Sequence, residues 1–197
     1  MPRQPDSELV AGLFAERRTI LRAGRAAEAI TLDPEHLTVL VRRHLVTATG
    51  LDPATIDDAL PPMLWDDGTS RLVVHLADTA VRCGDGLVDV TLNVECDQTG
   101  VVQVVATFVT ASPNRPGGFV WATQDAPRGP QPVVQVWGDA LVALGWRVLV
   151  EVAAEVAGTV GVDQWGRGAI AATVVASREG LTVRPTAAPR FMKVGRS

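Results

Sequence analysis

The sequence predicts an α+β protein: an antiparallel sheet of five to six strands with one long apolar helix packed on a face, preceded by an N-terminal helical part. Three observations predict it. Residues 139–157 carry apolar side chains at three- and four-residue steps, the period of a helix. Residues 71–110 alternate apolar and polar with period two, the pattern of a meander buried on one face. Residues 168–185 read as a further hairpin around a glycine turn. The expected organisation is a helical part over 1–62, a sheet-and-helix domain over 63–185 and a basic C-terminal tail over 186–197.

Taken in order, Asp6 or Ser7 caps a first helix reaching about Ala29, with Leu9, Val10, Leu13, Phe14, Ile20 and Leu21 as its buried stripe and Arg18, Arg22 and Arg25 on another face. Asp33-Pro34 and Asp52-Pro53 then open two helices with the same device, a capping acid followed by proline at the first helical position. The first covers about 34–49 and ends at Gly50, and the second covers about 53–60 and ends at Pro61-Pro62.

From Arg71, Leu72, Val74, Leu76 and Ala80 alternate with Val73, His75, Ala77 and Thr79. Gly84-Asp85-Gly86 turns the chain into Val88, Val90, Leu92, Val94 and Cys96, which alternate with Asp89, Thr91, Asn93 and Glu95. Gln98-Thr99-Gly100 turns it again into Val102, Val104, Ala106 and Phe108. Residues 112–132 are rich in Pro and Gly, with Phe119–Trp121 as a fourth strand and Val133–Trp137 as a short one beyond.

The long helix is expected from an Asp139 N-cap to Gly158, with Leu141, Leu144, Val148, Val152 and Val156 on one stripe. Val142, Trp146, Val150 and Ala153 form a second stripe, which leaves Arg147, Glu151 and Glu155 as a narrow wet strip, so the helix is covered on more than one side. Ala169–Ala176 and Leu181–Arg184 make the last hairpin around Arg178-Glu179-Gly180.

The 197 residues are 47% hydrophobic, enough for a substantial core. The net charge of −4 is unevenly placed: +1 over residues 1–50, −10 over 51–165 and +5 over 166–197. The middle repels nucleic acid, whereas the tail seeks an acidic surface, with Arg190, Phe191, Lys193 and Arg196 as its partner-binding residues. Seventeen of the eighteen basic residues are Arg and Tyr is absent, a GC-rich coding bias of bacterial or phage type.

Two cysteines fit a reducing compartment. The N-terminus lacks the apolar core of a signal peptide and no uncharged apolar run reaches 18 residues, so a cytoplasmic or particle-associated protein with no membrane span is expected.

The motifs exclude more than they assign. There is no G-x-S-x-G, H-E-x-x-H, calcium-loop or dinucleotide fingerprint. The loop Gly161–Gly168 lacks the Lys and Ser/Thr of a phosphate loop, and Cys83 and Cys96 have no zinc spacing. No cofactor and no metal are expected. His36 and His44, two turns apart on one helix, make no metal site alone.

With three-residue loops on both sides, His75 lies opposite Glu95, and Glu95 opposite Gln103, on the polar face of the meander, with Thr79, Thr91 and Thr107 in a parallel row. A His–carboxylate pair is either an acid/base unit or an ordinary cross-strand pair. In the same register Cys96 faces Val74 and points into the core. Trp121, Trp137 and Trp165, in or beside loops, together with Gln103, are candidates for ligand or partner contact.

The reading that follows is a non-enzymatic assembly or adaptor subunit of a multi-protein complex, such as a phage-tail-like particle, acting through a protein partner or self-association. The alternatives are a small apolar ligand-binding protein of helix-on-sheet type and an enzyme using His75 and Glu95.

Overall fold

The computed structural model describes residues 29–50, 60–111, 121–122, 126–161 and 166–188. Within them the chain is α+β, as the periodicities predict, but its strands form two antiparallel sheets instead of one. The expected helices over 7–29 and 53–60, Trp165 and the tail from residue 189 lie outside the described residues.

Strand β1 (Ile30–Leu32) leads into helix α1 (Pro34–Ala48) through Asp33, whose side chain accepts a hydrogen bond from the His36 N–H, the capping predicted from Asp-Pro. Four strands follow in a meander: β2 (Met63–Asp66), β3 (Arg71–Gly84), β4 (Leu87–Cys96) and β5 (Gly100–Val109). The two-residue strand β6 (Trp121–Ala122) completes the large sheet, ordered β2-β3-β4-β5-β6. Helix α2 (Gln131–Gly158) precedes the hairpin of β7 (Ala169–Ser177) and β8 (Gly180–Ala187). That hairpin takes up β1 as its third strand, in the order β1-β8-β7. Neither β1 nor β2 carries a strand signature in the sequence, because three or four residues are too few to show alternation.

The long helix starts at Gln131, eight residues before the expected Asp139 cap, and the strand expected over Val133–Trp137 is its first turns. Pro132 explains the early start, since its fixed φ suits the first helical turn and its missing N–H leaves nothing unsatisfied there. Gly138 does not break the helix because it is buried against Pro127, whose Cγ would stand 3.3 Å from an added Cβ. The last hairpin likewise runs to Ala187, three residues past the expected Arg184, and buries Pro185.

One hydrophobic core joins all the layers. It unites Leu37, Leu40 and Val41 of α1, Leu72 to Val104 from the large sheet, Leu141 to Val156 of α2, and Val174, Leu181 and Val183 of the small sheet. Phe108 packs into the notch left by Gly145, where a Cβ would come within 2.9 Å of its ring. The two sheets meet at one end of β5. There the Gly86 N–H donates to the Ala176 carbonyl at 3.0 Å, the Ala111 N–H to the Val174 carbonyl at 3.1 Å, and the Ala176 N–H to Thr110 Oγ1 at 2.8 Å.

Register departs from the expectation on both sides of β4. The first turn holds two residues, Asp85 and Gly86 with φ 71°, between the paired Gly84 and Leu87. Strand β3 then bulges, so Leu76 to Thr79 face the single residue Leu92, between the pairs His75–Asn93 and Ala80–Thr91. Thr79 is thereby turned inward and fully buried, so the expected Thr79–Thr91–Thr107 row does not form. Thr91 lies opposite Val105, and Thr107 opposite Asp89. Helix α1 holds the bulge: Arg42 Nε donates to the Thr79 carbonyl at 2.8 Å, and the Val81 N–H donates to Thr38 Oγ1 at 3.2 Å.

Candidate functional site

The alternation of β2 to β5 gives the large sheet one face buried on the helices and one outer face. On the outer face His75 lies opposite Asn93, Asn93 opposite Gln103, and Glu95 opposite Val73 and Val101, correcting the expected His75–Glu95–Gln103 alignment. The bulge and the two-residue turn account for the shift of His75, and the second turn, Asp97–Thr99 instead of Gln98–Gly100, for that of Glu95 against β5. The side chains of His75 and Glu95 nevertheless meet along the diagonal, Nε2 to Oε2 at 3.3 Å, with 28% and 49% of each exposed. A contact this long between wet groups contributes about 0–1 kcal/mol. Gln103 is exposed on β5 beside it.

Around that pair the face carries a row across four strands that is apolar on β2, β3 and β5 and holds Glu95 on β4. Leu64 lies opposite Val73, Val73 opposite Glu95 and Glu95 opposite Val101. Leu64 and Val101, 60% and 63% exposed, are the most exposed large apolar side chains among the described residues. Further carboxylates flank the row at this end of the sheet: Asp66 at the end of β2, Asp67 in the β2–β3 turn and Asp97 after β4, with Arg71 as a neighbouring cation.

Local hydrogen bonds keep two of these acids ionised. The Gly68 N–H, followed by Arg71 at 2.9 Å, holds the Asp66 carboxyl below its ordinary value. The N–H groups of Ser70 and Thr69 do the same for Asp67. Asp66-Asp67-Gly68 was the signal available in the sequence, an acidic turn between two apolar runs. The exposure of Leu64 was not readable, because β2 itself was not.

A second cluster joins the helices. Glu155 of α2 accepts from the Arg43 guanidinium and faces His44 Nε2 at 2.7 Å, while His44 Nδ1 lies 3.4 Å from Glu151, which in turn accepts from Arg147 Nε at 2.9 Å. The side chains of His44 and Glu155 are only 12% and 10% exposed. Burial pushes the Glu155 carboxyl up, but hydrogen bonds from His44 and Arg43 and their charges outweigh it, so it titrates below its ordinary range. The wet strip Arg147–Glu151–Glu155 read from the sequence is therefore half covered, and it anchors α1. His36 turns away to its own cap, Asp33. Among the described residues no group of three or more His, Cys, Asp or Glu is placed to hold a metal ion.

Trp137 is buried in the core, its ring 6.0 Å from that of Trp65 and tilted by 38°. Trp121 lies on β6 opposite Val109. The cysteines are free. Cys83 lies near the β3–β4 turn, and burial pushes its thiol up to about 11. Cys96 closes β4 opposite Gly100, not opposite Val74; it is partly buried against the core, as expected, with its Sγ 3.1 Å from Thr99 Oγ1. Its slight burial raises the thiol pKa, but hydrogen bonds from Thr99 and the Gln98 and Thr99 N–H groups outweigh this and lower it. Among the described residues no helix is long and apolar enough to cross a membrane. No protein-family model, curated protein or solved structure matches the chain.

Proposed function

We propose that this chain is a non-catalytic assembly or adaptor subunit that docks a protein partner on the outer face of the large sheet. The observation that carries the reading is the row Leu64–Val73–Val101, presented to solvent at the acidic end of that face. Exposed apolar surface rimmed by charge is what a protein interface offers: the apolar centre supplies affinity and the rim sets register. His75, Glu95 and Gln103 fit the same reading as the polar part of the contact surface.

A photo-cross-linking amino acid at Val101 tests it in the native cell extract, with the same probe at Val136 of α2, 54% exposed, as control. The expected result is one discrete product from position 101, lost when Leu64→Asp is added, and none from position 136. Identical products from both positions, or a product indifferent to Leu64→Asp, rule the docking face out.

A further inference from the structure

Resting on that docking reading, we propose that the occupant of this face is the C-terminal segment, residues 189–197, of a second copy of the chain. The surface asks for a ligand that is apolar and basic together. Leu64, Val73 and Val101 are its apolar part, Glu95 stands between Val73 and Val101, and Asp66, Asp67 and Asp97 flank them, with Arg71, itself paired with Asp66, as the one Arg or Lys beside them among the described residues. The segment Pro189-Arg-Phe-Met-Lys-Val-Gly-Arg-Ser197 has that composition: Phe191, Met192 and Val194 for the apolar row, Arg190, Lys193 and Arg196 for the carboxylates, and no acid of its own.

The lengths agree as well. Four strands spaced by ~4.8 Å make a row about 14 Å wide. Some five residues of extended chain cross that width, at about 3.3 Å each. The other large exposed apolar side chains, Val39, Leu87, Val136 and Ile170, stand on four different elements and offer no comparable row.

The segment follows Ala188, whose N–H donates to the Gly168 carbonyl at 2.9 Å. A neighbour's segment on this face joins two chains into one particle, whereas the chain's own would leave the single-chain mass, so the state of association separates the two.

The test uses two full-length variants. One, Leu64→Asp with Val101→Asp, spoils the face; the other, Arg190→Glu with Lys193→Glu and Arg196→Glu, spoils the segment. Leu64 and Val101 are exposed, and unchanged melting temperatures check that both variants fold. By light scattering the unmodified chain is expected to exceed its single-chain mass of 20.9 kDa, while each variant alone stays at that mass. An equimolar mixture of the variants is expected to recover association, because each supplies the half the other lacks, and 0.5 M NaCl is expected to weaken it at least tenfold.

A segment variant that still associates, in a way Leu64→Asp abolishes, overturns this occupant and leaves the docking face standing. A mixture that stays monomeric overturns the segment-on-face contact. An unmodified chain that is monomeric at about 100 μM overturns the second copy, and the cross-link from position 101 then decides the docking reading by itself.

Discussion

Gly180 sits where only glycine fits. Its φ is 135°, and a Cβ there would lie 1.9 Å from the Leu32 carbonyl oxygen, which passes directly over the turn. Gly180→Ala is expected to lose at least ~3 kcal/mol, since the clash is with backbone and neither β1 nor the turn can give way. Urea denaturation would measure it; a loss below 1 kcal/mol would show that β1 does not lie over the turn. The sequence marks Gly180 as a turn glycine but cannot tell that a strand 150 residues earlier makes it obligatory. The cysteines offer a second check at this scale. Cys96, its thiol pKa lowered by Thr99 and the turn N–H groups despite slight burial, is expected to be alkylated at pH 8 well before Cys83, which burial holds at about 11. Peptide mapping after brief iodoacetamide treatment reads the order, and equal labelling would contradict it.

Between elements, the contact of α1 with α2 depends on Glu155. Glu155→Gln leaves a single neutral acceptor oxygen for both the Arg43 guanidinium and His44 in a half-buried gap and removes the charge, so it is expected to cost ~1–3 kcal/mol at pH 7. Because the folded-state pKa of Glu155 is depressed, its contribution is complete above the ordinary glutamate value of about 4.3 and is lost as pH falls through the lower folded value. Parent and variant should therefore differ in urea midpoint at pH 7 and converge toward pH 3; parallel profiles would remove Glu155 from the network. Legibility ended at this scale. The meander, the Asp33 cap and the final turn were readable because each is encoded within a dozen residues. The β3 bulge was not, since it is stabilised from outside the strand by Arg42 and Thr38, and together with the two-residue turn it moves His75 away from its expected partner. The Glu155 cluster failed to show for the same reason: its members are 111 and 112 residues apart.

For the molecule as a whole, the charge asymmetry seen in the sequence acquires a location. The acidic excess of residues 51–165 gathers partly at one end of the large sheet, beside Leu64 and Val101, and the basic excess of residues 166–197 includes the segment beyond Ala188. Association through these surfaces is expected to fall as ionic strength rises, because the rim charges are solvent-exposed and screened over about 8 Å at physiological salt. Sedimentation at 50 mM and 500 mM NaCl would read this, and salt-independent association would place the contact elsewhere. The division of the strands into two sheets was beyond a sequence reading, because the hydrogen bonds from Gly86 and Ala111 that join them are made by backbone.

The pairing of β1 with β8 sets the order in which this protein can be completed. Ile30 meets Val183, and the Thr31 and Thr182 hydroxyls lie 2.9 Å apart across 151 residues of chain. A ribosome releases the large-sheet meander early, and neighbouring strands can zip as they emerge, but β1 must wait unpaired until β8 has been made. Its closure is thus a late, slow step dominated by loop entropy. A nascent chain stalled before β8 keeps β1 open to chaperones and proteases.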